Sequence, residues 1–282
     1  MGKKPYSRVY LEITNVCNKS CSFCIGTKRE ARNMTLKEVD LITDKLLPFT
    51  DYIYFHLMGE PLLHKDLFDM ISLAKKKGFK CAVTTNGSLL DRFGKALIDS
   101  GVYKVNISLH SFEGASEEEH TAYLTSCTDF AKAASDVGVL CVLRLWNGEY
   151  EIENNARALA LLRERLPYEW VEGSRGYRIK DKLHLEYGER FDWPTMDIDP
   201  IGDDTFCYGL ADHFGILSSG TVVPCCLDSD GNIPLGNAIE DDLSSILLSE
   251  RAKSIREGFK CRRAVEALCK RCGYSRRFDI KN

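Results

Sequence analysis

Residues 15–24 read Asn15-Val16-Cys17-Asn18-Lys19-Ser20-Cys21-Ser22-Phe23-Cys24, and the cysteine spacing in this stretch decides the fold. Cys17 and Cys21 are separated by three residues, Cys21 and Cys24 by two. One short loop can therefore wrap three corners of a four-iron cubane. Three thiolates are one too few for a tetrahedral structural metal site, and they leave one iron of such a cluster without a protein ligand. A zinc knuckle completed by a distant fourth ligand is the competing reading.

Outward from this loop the chain alternates two periods. Arg8 to Ile13 predicts a strand running into the loop. Thr35 to Leu47 predicts a helix, opened by the capping box Thr35-Leu36-Lys37-Glu38, with Leu36, Val39, Ile42 and Leu46 on one face. Tyr52–Leu57, Cys81–Thr85, Val105–Leu109 and Val139–Leu145 predict further strands. Helical patterns lie between them at Asp66–Lys77 (ended by Gly78), Leu89–Ser100 and Glu117–Val137. Tyr177–Lys180 is the candidate sixth strand. Repeated strand–helix units predict an α/β fold, a parallel and barrel-like sheet with right-handed crossovers. The pattern breaks near Pro194 and Pro200. Beyond it lie a Cys- and Gly-rich segment and one helical stretch, Asp242 to Glu257. The expected units are residues 1–200 and 201–282.

In parallel α/β architectures ligands gather beyond the carboxyl ends of the strands. Polar motifs stand at each such end here: Met58-Gly59-Glu60-Pro61, Thr84-Thr85-Asn86-Gly87, Asn106-Ile107-Ser108-Leu109-His110, and Arg144 in the fifth strand. With the cysteine loop, this order resembles the radical S-adenosylmethionine (SAM) superfamily. The resemblance implies a partial (β/α)6 TIM-like barrel. It also implies a [4Fe–4S] cluster on Cys17, Cys21 and Cys24 whose fourth iron takes SAM. Phe23 matches the aromatic beside the adenine, and Met58-Gly59-Glu60-Pro61 the GGEP motif, with Met58 replacing its first glycine. Gly59 through its carbonyl, or Glu60 through its carboxylate, would bind the methionyl ammonium. Thr85 and Asn86 match the polar turn near the methionyl group, Ser108 a ribose contact. Arg144 suits the methionyl carboxylate, which a guanidinium holds in bidentate fashion. In that superfamily a reduced cluster cleaves SAM to a 5′-deoxyadenosyl radical, which takes hydrogen from substrate.

The chain holds twelve cysteines. Clustered cysteines in a reducing compartment favour metal ligation over disulfides. Cys81, Cys127 and Cys141 lie within apolar or helical runs and read as small core residues. Cys207, Gly220 and Cys225 resemble the C-x(9–15)-G-x(4)-C opening of the SPASM and twitch auxiliary-cluster domains, and Cys269-Lys270-Arg271-Cys272 adds a CxxC pair. The resemblance implies a small Cys-rich extension with a second [4Fe–4S] cluster on Cys207, Cys225, Cys269 and Cys272. A zinc site on the same ligands is the alternative, and Cys226 and Cys261 are the spare thiols.

Lys and Arg total 38 against 41 Asp and Glu, a net charge of −3, which argues against a polynucleotide footprint. No apolar run approaches the roughly 20 residues that span a bilayer. The start has neither a signal-peptide apolar stretch nor a myristoylation pattern, so a cytoplasmic enzyme is expected. The first strand begins near residue 8 with no leader-binding extension before it, favouring a small-molecule substrate over a peptide. An electron donor of flavodoxin or ferredoxin type is implied. Glu12, His56, His110, Trp146, Tyr177 and Arg178 are the side chains expected near the cavity, with Glu12 and His110 as the catalytic candidates. His64 and His120 read as surface helix residues.

By overall organisation rather than by any motif, the chain resembles the queuine lyases. These break a carbon–nitrogen bond to release an aminomethyl-deazaguanine base, whose edge a carboxylate such as Glu12 or Asp228 would read. The alternatives are a dehydrogenase of a small polar alcohol, a peptide maturase with a SPASM domain, and an iron–sulfur carrier without catalysis.

Overall fold

The structure, a computed structural model, describes residues 3–113, 116–147 and 152–278. The first two residues of the N-terminal start lie outside the described residues. Strands β1 (Arg8–Leu11), β2 (Tyr52–Phe55), β3 (Lys80–Thr85), β4 (Lys104–Ser108) and β5 (Leu140–Leu145) alternate with helices α1 (Leu36–Leu46), α2 (Leu67–Lys76), α3 (Leu90–Asp99) and α4 (Glu117–Asp136). Helix α1 starts as its capping box dictates, with Thr35 and Glu38 satisfying one another's backbone N–H. Helix α5 (Ile152–Arg165) follows β5 and was missed in the sequence, where its apolar stripe is short.

Three antiparallel strands come next: β6 (Val171–Gly173), β7 (Gly176–Lys180) and β8 (Leu183–Tyr187). The sixth parallel strand is β8, which pairs with β5, and not Tyr177–Lys180. The reason is amphipathicity. Leu183 and Leu185 both bury, whereas β7 buries Ile179 alone, and Lys182 at φ 62° turns one strand back onto the other.

Strands β9 (His213–Ile216), β10 (Thr221–Val223) and β11 (Gly236–Asn237) continue the sheet on its other side, with β9 parallel to β1. The full order is β11-β10-β9-β1-β2-β3-β4-β5-β8-β7-β6. A mostly parallel sheet with helices along it is the α/β fold expected. The expected helix at 242–257 is two helices, α6 (Leu243–Leu247) and α7 (Glu250–Lys260), because Ser249 caps the second with its own side chain.

Alternation along the strands sets the two faces. Val9, Leu11, Ile53, Phe55, Val83, Val105 and Ile107 bury against the helices with Val39, Ile42, Leu46 and Met70. Cys81, Cys127 and Cys141 are buried with them, and burial pushes each thiol up to about 12. The opposite positions, among them Tyr10, Tyr54, His56, Thr84, Asn106 and Arg144, line the interior of the curved sheet.

Candidate active site

The interior is a cavity of about 910 Å³. Phe23, Gly59, Glu60, Thr85, Asn86, Ser108, His110 and Arg144 all line it, as do both cysteine sets, Cys17, Cys21 and Cys24 at one part of the wall and Cys207, Cys225, Cys269 and Cys272 at another.

The cysteine loop is held from below by the Met58–Pro61 turn. Gly59 has φ 75°, and a methyl on it would collide with the Thr14 carbonyl oxygen, so only glycine lets this turn close onto the loop. The Glu60 N–H donates to the Val16 carbonyl at 2.8 Å. Each Glu60 carboxylate oxygen accepts a backbone N–H: Oε1 from Leu62 at 3.0 Å and Oε2 from Asn86 at 2.7 Å. Burial nonetheless pushes this carboxyl up. Asn86 in turn donates from Nδ2 to Asn18 at 2.9 Å, and that nitrogen lies 3.9 Å from Cys17 Sγ.

From above, Trp193 Nε1 donates to the Phe23 carbonyl at 2.8 Å and Arg190 to Ser22 Oγ at 3.0 Å. Glu113 accepts from both the N–H and the hydroxyl of Ser22. The Phe23 ring lies 4.8 Å from that of His110. Burial holds His110 down to about 4, and its Nδ1 lies 3.1 Å from the Arg144 carbonyl oxygen and 3.3 Å from the Trp146 nitrogen. Burial, with Glu113 and the other two thiols beside it, pushes Cys21 up to about 11.

Cys207, Cys225, Cys269 and Cys272 are mutual electrostatic neighbours. Burial raises each thiol, and the closeness of the others raises Cys225, Cys269 and Cys272 further, Cys272 to about 11. A Cβ on Gly209 would lie 3.7 Å from Cys207 Sγ and 3.8 Å from Cys225 Cβ, which places those two together. Cys226 is also an electrostatic neighbour of Cys225 and Cys207 and lines the cavity beside Tyr10, and Cys261 is exposed. Among the described residues no three Cys, His, Asp or Glu side chains converge on a single-ion point. A cubane is a larger group, because its thiolates bind separate irons.

Several expectations need correction. Glu12 does not line the cavity. Its side chain is wholly buried, Oε1 accepting from Ser218 N–H at 2.9 Å and Oε2 from Met58 N–H at 3.2 Å and from Arg29 at 2.8 Å. A carboxylate so occupied has no oxygen for substrate. Asp228 does line the cavity, but its oxygens accept the backbone N–H groups of Asn232 and Ile233 at 2.7 and 2.8 Å. Tyr177 packs on Trp170 and Tyr187, and Arg178 is exposed, both away from the cavity because they belong to the outer hairpin. His64 is buried rather than on a surface helix, with Nε2 2.8 Å from the Met34 carbonyl. His120 does lie on a helix, α4, where it is partly exposed and stacks on Phe112. Trp146 does line the cavity, packed under the Arg144 guanidinium at 4.6 Å and against Gly188.

The inner wall holds residues that were passed over in the sequence: Tyr10, Tyr54, Asp212 and His213. The signal for the first two was present, since Tyr10 alternates with the buried Val9 and Leu11, and Tyr54 with the buried Ile53 and Phe55. For Asp212 and His213 no local signal exists.

Residues 11–171 match the Radical SAM superfamily, and residues 207–273 match SPASM, an iron-sulfur cluster-binding domain. A probable GTP 3′,8-cyclase of Methanococcus maripaludis is 34% identical over 119 residues, 40% of this chain and 39% of that protein. The first four curated relatives are matched over only 30 to 47% of their own lengths. Among solved structures, BtrN in complex with AdoMet and 2-DOIA aligns with TM-score 0.61 and 19% identity over 96% of this chain and 94% of BtrN. SuiB of Streptococcus suis, solved with S-adenosylmethionine and also with its precursor peptide SuiA, aligns with TM-score 0.64 and 17% identity over 95% of this chain and 72% of SuiB in the first of these structures. Both likenesses concern the fold. No helix among the described residues is long and apolar enough to cross a membrane. A cysteine loop clamped between a glycine turn and an aromatic roof, over a barrel whose far wall carries a second cysteine set, thus goes with matches over more than half of the chain: this protein belongs to the radical SAM superfamily, whose cofactors are SAM and a [4Fe–4S] cluster, and it carries a SPASM region for further iron–sulfur binding.

Proposed function

We propose that this enzyme takes a hydrogen atom from a small polar molecule held between two [4Fe–4S] clusters, with queuine as the first substrate to test. One observation carries the reading: a single cavity of about 910 Å³ has both cysteine sets in its wall. That volume is near the upper end of the roughly 300–1,000 Å³ of small-molecule sites, enough for a cofactor and a modest substrate together.

The residues fit the implied groups. Cys17, Cys21 and Cys24 would hold the first cluster, and Cys207, Cys225, Cys269 and Cys272 the auxiliary one, with Cys226 and Cys261 outside both sets. Arg144 is buried and its Nε makes no hydrogen bond, only a long ion pair to Glu186 at 3.9 Å, so the guanidinium is a donor suited to the SAM carboxylate. The Gly59 carbonyl, Thr85, Asn86 and Ser108 would receive the rest of SAM, with Phe23 against its base. SAM and its reduced cluster supply, when bound, the 5′-deoxyadenosyl radical that abstracts hydrogen. The chain itself does the remaining work. Trp193 and Arg190 hold the roof that excludes water, His110 stays uncharged against Phe23, and the inner wall orients the target carbon.

With Glu12 outside the cavity, Asp228 bound to backbone and Asp212 paired with Arg8, Glu189 is the lining carboxylate best placed to read a guanine-like edge. A dehydrogenase of a small alcohol is the second reading. It gains from the auxiliary thiols sharing the cavity wall, where a cluster could accept an electron from substrate. The division of labour is proposed to fall near residue 200, SAM chemistry before it and the auxiliary cluster after it. A cytoplasmic setting and a flavodoxin- or ferredoxin-type donor follow from the need to keep both clusters reduced.

The test is anaerobic incubation of reconstituted protein with SAM, reductant and queuine. Queuine-dependent 5′-deoxyadenosine together with the aminomethyl base supports lyase chemistry. Stimulation by a small alcohol and not by queuine moves the dehydrogenase to first place. No SAM cleavage under any condition sinks both.

A further inference from the structure

Three polar side chains cross the middle of the barrel at one level. Phe55 pairs with Val83, so His56 on the end of β2 and Thr84 on β3 are neighbours, and Thr84 pairs in turn with Asn106 on β4. All three line the cavity. Asn106 is wholly buried: Nδ2 donates to Thr84 Oγ1 at 3.2 Å, while Oδ1 has no partner among the described residues. A buried acceptor left unpaired is costly, so this oxygen points to a donor that arrives with a ligand. His56 makes no hydrogen bond to the described residues, its ring resting 6.0 Å from that of Tyr10.

We propose that His56, Thr84 and Asn106 form a shelf that anchors the hydroxyl groups of an uncharged face of the substrate. The proposal rests on the small-molecule reading above and names the chemistry of that molecule. An imidazole without charge, a hydroxyl and a primary amide each both donate and accept, which matches an O–H that does the same. An anion would require charged donors on the shelf. Burial and the Arg144 charge hold His56 down to about 4, so it stays neutral at working pH. The nearby cations are otherwise engaged. Arg8 lies 3.3 Å from Asp212 and donates to the Tyr10 hydroxyl, and Arg144 is the group assigned to SAM. A site built to hydrogen-bond a hydroxyl rejects analogues that lack or mask it.

The test is binding to the reconstituted, SAM-loaded protein by calorimetry. The probes are queuine, an aminocyclitol and a linear alditol, each paired with a phosphorylated counterpart. The expected result is that at least one hydroxylated probe binds tenfold or more tightly than its phosphorylated form. Asn106→Leu and Thr84→Val should each weaken it at least tenfold, while His56→Gln, which keeps both functions, stays within threefold of wild type and His56→Phe does not. Circular dichroism checks that each variant is folded, and Thr84→Val, nearly isosteric, guards against a folding failure at Asn106. Tighter binding of the phosphorylated members, no binding of any hydroxylated member, or equal affinity in Thr84→Val overturns the shelf. SAM cleavage by the wild type is measured in the same preparation, so a protein that cleaves SAM without this binding pattern loses the shelf alone.

Discussion

Glu12 and Arg29 meet at 2.8 Å in the seam between the cysteine loop and the segment that carries the second cysteine set. Arg29 also donates to the Ser229 carbonyl at 2.8 Å, while Glu12 takes the N–H groups of Ser218 and Met58. One buried pair thus ties the end of β1, the glycine turn, the cysteine loop and the residues after Cys225 into a single junction. Neither side chain reaches the cavity, so the pair positions and does not react.

Glu12→Ala should therefore destabilise the protein by about 3–5 kcal/mol, because it strands a part-buried guanidinium and two backbone N–H groups. Glu12→Gln should cost less, since its carbonyl oxygen can still accept from Ser218. Urea unfolding of the iron-loaded protein under anaerobic conditions measures both. A loss below about 1 kcal/mol for Glu12→Ala would show that the junction is held elsewhere.

Iron content separates the two cysteine sets. The reconstituted wild type should hold about eight irons, and the triple Cys17, Cys21 and Cys24→Ala variant about four, with no SAM cleavage. Cys269→Ala with Cys272→Ala should remove the other four and loosen the C-terminal segment, since metal binding and folding are coupled. Cys261→Ala, at an exposed thiol, should keep the full complement; loss of a cluster there would reassign the ligands.

Gly59→Ala tests the turn beneath the loop. The residue would carry positive φ, worth roughly 1–2 kcal/mol for an L side chain, and its methyl would press on the Thr14 carbonyl. SAM affinity, read by equilibrium dialysis, should fall at least tenfold even where iron content survives. Wild-type affinity in this variant would refute the close approach.

Stability should fall as pH drops. Burial holds His56, His110 and His213 down to about 4, against about 6.5 in an unfolded chain. Above pH 6.5 both states leave these rings neutral and nothing changes. Below it the unfolded chain takes up protons first, so each histidine removes about 1 kcal/mol by pH 5.5. Denaturant midpoints at pH 7.5 and 5.5, compared where iron content is constant, check this, and His213→Gln should shrink the difference. A midpoint unchanged or higher at pH 5.5 contradicts it.

The alternation Val9, Leu11, Ile13 against Tyr10, Glu12, and the capping box at Thr35, were enough to place β1 and α1, because both patterns are local. The cysteine spacing and the turns at Gly59 and Asn86 were legible for the same reason: each is a few residues whose chemistry is complete within one loop. Glu12 was misread for the opposite reason. Its alternation correctly aimed it inward, but Arg29 and Ser218, 17 and 206 residues away, consume its oxygens.

The sequence by itself therefore determined the strand–helix repeat, the cysteine loop and the membership of a SAM-dependent family, since periodicity and short spacings encode them. Only the tertiary structure decided that β8 and not β7 joins β5, that β9 closes on β1 and brings Cys207 and Cys225 to the barrel, and that His56, Thr84 and Asn106 share one level. Those outcomes depend on which surfaces bury against which. Burial of long-range partners is a property of the packed chain, and no local run of residues carries it.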